Sequence, residues 1–187
     1  MFENSKSLKE YQNRFPTWRL TIILTIIQKK VEKSAVEKRE LPLVWSLMHM
    51  YSTMQIAKLL ALKRGINPEL AGLTCAFHDI HTLLTGSTKN HGVNAAKHIQ
   101  EIVMKYNQNS RGELLEITKE EVEKIINAIA VHSDKNTVAN DPLTELLKDV
   151  DSLDSYLHGL IQNKQSGRIP RGNKVLKEFN IDFLIEE

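Results

Sequence analysis

The chain has 187 residues, 41% hydrophobic and 26% charged, the balance of an ordinary globular domain long enough to bury a core. Lys and Arg number 25 against 23 Asp and Glu, which excludes the basic excess of a dedicated nucleic-acid binder, so no nucleic-acid polymer is expected as partner. The lone cysteine, Cys75, excludes a disulfide framework and a cysteine-based zinc cluster, and a reducing, cytoplasmic setting is the expectation.

The opening stretch MFENSKSLKEYQNRF is polar and lacks the layout of a signal peptide. Leu20, Ile23, Leu24, Ile27 and Val31 then keep helical spacing, and the polar QKKVEKSAVEKRE is expected to continue that helix. Trp18, Leu20, Ile22, Leu24 and Ile26 also alternate as a strand would, but the length of the segment favours a helix. The run LTIILTII is far shorter than a membrane span, and no membrane partner is expected. Pro42 marks the start of a second helix, with Trp45, Met48, Ser52, Ile56, Leu59 and Leu60 on one face and Gly65 as its C-terminal cap. INPEL opens a third, with Asn67 capping and Pro68 in the first helical position. It is expected to run through Ala71, Leu73 and Phe77 into AFHDIHTLLTG. TGSTKN is a loop.

A helix from His91 carries Val93, Ala96, Ile99, Val103 and Tyr106 on one side and breaks at NQNSRGE. TKEE, Thr118 to Glu121, is a capping box, and the helix behind it carries Val122, Ile125, Ile126 and Ile129 and ends near His132. After the loop SDKNTVAND, Pro142 opens a helix bearing Leu143, Leu146, Leu147, Val150, Leu153 and Leu157. Gln162 to Lys174 is polar and basic, with Gly167, Pro170 and Gly172, and is expected to be a surface loop before a short C-terminal helix. With no strand pair or hairpin, the fold class is all-α, and residues 1–187 are expected to form one domain.

Polar residues fall where these apolar faces should be. His49 shares a face with Trp45, Ser52 and Ile56; His78 lies seven residues after Ala71; His132 follows Ile129 by three; Asp151 follows Leu147 by four. A core normally excludes such groups. Singly, each is better explained as a hydrogen-bonded core residue or a cap. Together, from four helices, they match how helical bundles build metal sites. Imidazole and carboxylate suit iron, manganese, zinc, cobalt or nickel without choosing among them.

This order of residues resembles the HD superfamily of metal-dependent phosphohydrolases, an all-α helical bundle with its metal site between helices. The family pattern is a His on one helix, an adjacent His-Asp at the end of the next, and an Asp on a later helix: here His49, His78-Asp79 and Asp151. The flanks HMYSTMQIAKLLALKRGINPELAGLTCAFHDI and LLKDVDSLDSY agree with it, and the resemblance covers a core of about 42–160, leaving an N-terminal helix and a C-terminal extension. Asp149, the competing choice, faces elsewhere on its helix. Some relatives hold two metals through further histidines, in the order H…HD…H…H…D. His91 in NHGVNAAKHI and His132 in AIAVHS resemble that layout; the other reading makes them supporting or substrate-contacting groups.

The resemblance implies one or two divalent ions (Fe, Mn, Zn, Co, Ni or Mg) held by His49, His78, Asp79, His91, His132 and Asp151, with Asp79 shared. It implies hydrolysis of a nucleotide or other small phosphate ester, because a bound divalent ion lowers the pKa of water and relieves phosphoryl charge. Asp79 is then a catalytic residue. His81, one turn after His78, is either a general acid or a structural hydrogen-bonding group. Asp154 could support a ligand, but a helix-surface acid is preferred. His98 is too far from His91 to share a metal, and His158 could line the cleft mouth.

Two departures bear on the substrate. Where many relatives read His-Asp-Ile-Gly-Lys, this chain has His81 and Thr82 in place of Gly and Lys, and Ser152 stands where Ala-Asp-Arg-Leu has Arg. Lys89, Lys97 and Lys135 could neutralise phosphate instead, but ordinary surface lysines are the expectation. The alternatives are a non-catalytic nucleotide-sensing module, a di-iron oxygenase of the same family, and a bundle with scattered core histidines. A homo-oligomer is left open.

Overall fold

The computed structural model describes residues 18–110, 115–159 and 167–185; the polar opening stretch, the end of the NQNSRGE break and most of the basic segment before Gly167 lie outside them. The described residues form helices and no strand: α1 (Trp18–Glu32), α2 (Leu43–Arg64), α3 (Pro68–Phe77), α4 (Ile80–Thr85), α5 (His91–Asn109), α6 (Lys119–Ala130), α7 (Pro142–Leu157) and α8 (Arg168–Glu178). Among them, no helix is long and apolar enough to cross a membrane.

The helix starts follow the predicted signals. Asn67 Oδ1 accepts from the N–H groups of Glu69 (2.9 Å) and Leu70 (3.2 Å), with Pro68 behind it. Thr118 and Glu121 exchange the two bonds of a capping box, and Asp141 caps α7 through the Thr144 N–H at 2.8 Å. Gly65 closes α2 in the left-handed region, φ 71°. α3 is buried along almost its whole length and is the central helix, packed by α2, α6, α7 and α1.

Several expectations are corrected. α1 is helical rather than strand-like, but it stops at Glu32 and does not continue through the polar stretch. Both the N–H (3.0 Å) and the hydroxyl (2.7 Å) of Ser34 turn back onto the Val31 carbonyl, using up the acceptor at the helix end. The packed face of α2 is Ser46, His49, Met50, Thr53, Met54, Ala57, Leu60 and Ala61, so Met48 and Leu59 point to solvent. Small and polar residues make up five of those eight, and a pattern of large apolar residues cannot show it. On α5 the buried stripe runs Gly92, Ala95, Ile99, Ile102, Val103 and Tyr106, leaving Val93 exposed. Gly92 sets this register: a Cβ there would lie 2.5 Å from the Ile129 carbonyl oxygen of α6. Arg168 to Lys174, expected in a loop, already belong to α8. Gly172 lets that helix in close, since its Cβ would meet Ile185 at 2.6 Å.

A buried ion network ties α1 to α3 and α6. Arg19 reaches Glu69 (2.7 Å) and Glu121 (2.8 Å). Burial holds the Glu69 carboxyl above its ordinary value, with Arg19 pulling the other way. A carboxyl raised in the fold stabilises it below the unfolded pKa, and that contribution is lost as pH rises through the folded value. Arg19→Met removes the cation bonded to Glu69, so it should destabilise the fold by about 3 kcal/mol at neutral pH. The loss should be larger at about pH 8 than at about pH 5, read from urea unfolding at both; an equal loss at both would show that Glu69 does not carry the effect.

Candidate metal centre

The centre is built where α3 fails to continue. On an unbroken helix, adjacent side chains diverge by about 100° and His78 and Asp79 could not face one cluster. Instead α3 ends at Phe77, and Asp79 leaves helical geometry (φ −108°, ψ 20°) before α4 begins. This corrects the expected continuous helix and aims both side chains the same way. His49 comes from the middle of α2, His91 from the first residue of α5, and His132 from just beyond α6.

Four imidazole Nε2 atoms converge on the Asp79 carboxylate. His49 Nε2 lies 3.9 Å and His78 Nε2 3.5 Å from Asp79 Oδ2; His91 Nε2 lies 3.2 Å and His132 Nε2 3.9 Å from Oδ1. Two groups of three, His49–His78–Asp79 and Asp79–His91–His132, each have ligand atoms close enough to hold one ion, and they share Asp79. The other ring nitrogens are all engaged. Nδ1 of His78 donates to the Cys75 carbonyl (2.7 Å), that of His91 to Thr88 (2.8 Å) and that of His132 to Ile129 (2.7 Å). Nδ1 of His49 donates to Asp154 at 2.5 Å. A carbonyl can only accept, so a proton sits on Nδ1 of His78, His91 and His132 and leaves Nε2 of each ring facing inward.

The Nε2 atoms meet in pairs: His49 and His78 Nε2 are 3.1 Å apart, as are His91 and His132 Nε2. Two ring nitrogens at that distance share a proton or a cation lying against both. The donor set fits a divalent ion at each pair, with Asp79 within reach of both.

The electrostatics agree. Burial, then the Lys135 ammonium, pull His132 down to about 3, and burial holds His78 below its ordinary value, so both are neutral donors. Burial would raise Asp79, but the surrounding imidazoles outweigh it and keep the carboxylate ionised. His49 is the exception. Burial disfavours its charge, yet hydrogen bonds to Asp151 and Asp154 push it up to about 10. Trp45 stacks on its ring at 4.8 Å and seals that side.

Asp151 stands beside the cluster, its Oδ1 3.2 Å from His49 Nε2, but outside both three-residue groups. Its oxygens are held by Ser155 (3.2 Å), Arg168 (3.2 Å) and the Lys135 ammonium. Against burial, these cations keep its carboxyl well below the usual range. Lys135 is thus no surface lysine: it is buried, and burial against the pull of Asp151 brings it down to about 8. Asp154 is no surface acid either, being buried against His49 and His158 (3.4 Å). His158 also meets Ser52 Oγ at 2.8 Å. Asp149 does face elsewhere, toward Arg64, Arg171 and Lys174. His81 lies outside the cluster, Nδ1 3.3 Å from His98 Nε2.

The sequence offers both Asp154, one turn beyond Asp151, and Lys135 as candidates; what it does not show is that they are buried against the centre. Arg168 arrives from a different helix and had no local signal.

A family model for the HD domain matches residues 47–157, from the turn that carries His49 to the end of α7. No curated protein and no solved structure matches the chain. HD domains bind divalent metals, the chemistry for which this donor set is suited. Since that match spans more than half of its length, the chain belongs to the HD-domain family, a superfamily of metal-dependent, hydrolase-like proteins.

Proposed function

We propose that this protein is a metal-dependent phosphohydrolase acting on a small phosphate ester or anhydride, with nucleotides as the expected substrate class. The observation that carries the proposal is the pair of facing Nε2 contacts bridged by one carboxylate. Ions held by His49, His78 and Asp79, and by His91, His132 and Asp79, would supply Lewis acidity toward phosphoryl oxygens and a lowered pKa for attacking water. Asp151 is assigned to the first group through its contact with His49.

The protein's own groups favour an anion. The centre holds three carboxylates, Asp79, Asp151 and Asp154, and two cations, Lys135 and Arg168, both on Asp151, so two divalent ions would leave it net positive. Lys135 is too deep to touch a substrate, whereas the Arg168 side chain is 26% exposed. Arg168 is therefore the cation placed to meet phosphate. Thr82 cannot replace the family's lysine: it is buried, and its hydroxyl has no hydrogen-bond partner among the described residues.

Asp79 and His91 keep 22% and 21% of their side chains exposed and mark the open side. His81 is assigned to protonating the leaving group. Burial and the neighbouring His91 hold it below its ordinary value, so it carries a removable proton only as pH falls. His81→Gln should keep full metal content while lowering turnover by about 10²-fold. Unchanged turnover would reduce His81 to a partner of His98.

The test of the proposal is elemental analysis of purified protein with a phosphate-release screen. The panel holds mononucleotides, dinucleoside polyphosphates, cyclic dinucleotides and guanosine tetraphosphate. Two equivalents of metal and turnover with redox-inert ions are expected. Metal without hydrolysis, or turnover only with redox-active iron, would overturn it in favour of a sensor or an oxygenase.

A further inference from the structure

The solvent face of α2 carries Val44, Met48, Tyr51, Gln55, Leu59 and Leu62. Its spacing of fours and threes makes one stripe along the helix, about 27 Å from end to end. Val44 is 66% exposed, Leu59 59%, Met48 51%, Leu62 45% and Tyr51 42%. Histidine aside, the one ionisable side chain between Leu43 and Leu62 that carries a charge at neutral pH is Lys58. Its chain lies over Gly72 of α3, 3.3 Å from where a Cβ there would sit, and so leaves the stripe. A long apolar stripe without charge marks an interaction surface.

The stripe is also symmetric in position. Val44 and Leu62, Met48 and Leu59, and Tyr51 and Gln55 are spaced about Thr53 evenly to within one residue. A two-fold axis crossing α2 at Thr53 would set each member of a pair against the other member on a second copy. Tyr51 would meet Gln55, so the phenol hydroxyl is buried with a polar partner. With no charge on the stripe, self-pairing brings no like charges together, as an isologous interface requires. A membrane-surface helix needs a basic opposite face, and the opposite face of α2 is packed into the core.

We propose that α2 pairs antiparallel with α2 of a second copy of this chain, forming a two-fold dimer centred at Thr53. It stands independently of the catalytic proposal.

Analytical ultracentrifugation of the full chain should give twice the chain mass. Met48→Glu with Leu59→Glu should halve that mass while leaving the circular dichroism unchanged, since both positions are exposed. A second experiment uses cysteines. Val44→Cys with Leu62→Cys should cross-link into a covalent dimer on mild oxidation. Val44→Cys alone should not, because the two copies of residue 44 would lie about 27 Å apart, beyond the reach of a disulfide. The native Cys75 is buried and does not compete. A monomer at all concentrations, a dimer that survives both glutamates, or cross-linking through Val44→Cys alone would each overturn the proposal.

Discussion

Asp79→Ala should empty the centre of metal and lower phosphate release by about 10³-fold or more, the largest effect expected of any single substitution. Asp79 is the one residue common to both three-residue groups, and its two oxygens face different histidine pairs. Removing it leaves two imidazoles at one position and two imidazoles with Asp151 at the other, each short of the four ligands that hold a divalent ion firmly. His132→Ala should behave differently, costing one equivalent of metal and sparing the other, because His132 belongs to one group alone. Elemental analysis of the two variants beside the parent separates the cases. Equal metal in Asp79→Ala and the parent would mean that the ion, if any, sits elsewhere.

Lys135→Met should destabilise the fold by about 3 kcal/mol, the typical cost of removing one partner of a buried ion pair. The Lys135 side chain is 1% exposed and that of Asp151 4%, and Lys135 also donates to the His132 carbonyl at 2.6 Å. The substitution thus loosens the turn that aims His132 and leaves Asp151 with Arg168 and the His49 ring as its remaining partners. Asp151→Asn added to Lys135→Met should recover much of the stability, because no unmatched buried charge remains. It should not recover activity if Asp151 serves the ion. Urea unfolding of the parent, both single variants and the double variant gives the coupling. Additive losses would show that the pair is not a unit.

Much of the fold was legible in local chemistry. Asn67 with Pro68, the Thr118–Glu121 box, Pro142 and Gly65 each mark a helix end through chemistry within a few residues, which is why sequence reveals them; the Asp141 cap came from the structure. The outward face of α2 was not legible. Whether Met48 or Met50 points inward depends on which neighbours α2 packs against, and the small residues Ser46, Ala57 and Ala61 on the packed side leave no hydrophobic signature. The early start of α8 is likewise set by contacts, among them the close approach at Gly172, rather than by propensity.

The sequence alone determined which residues could make a metal centre: His49, His78, Asp79, His91, His132 and Asp151, by type, by order and by their place on or beside apolar faces. Tertiary structure alone decided how they meet. It opened α3 at Asp79 so that adjacent residues face one cluster, and it left Asp151 beside the two three-residue groups rather than within them. It also turned Lys135 and Asp154 inward and brought Arg168 back from α8. Ligand identity is written in single side chains, but coordination geometry and charge balance depend on distances between helices far apart in the chain. Those distances are set by the packing of the core.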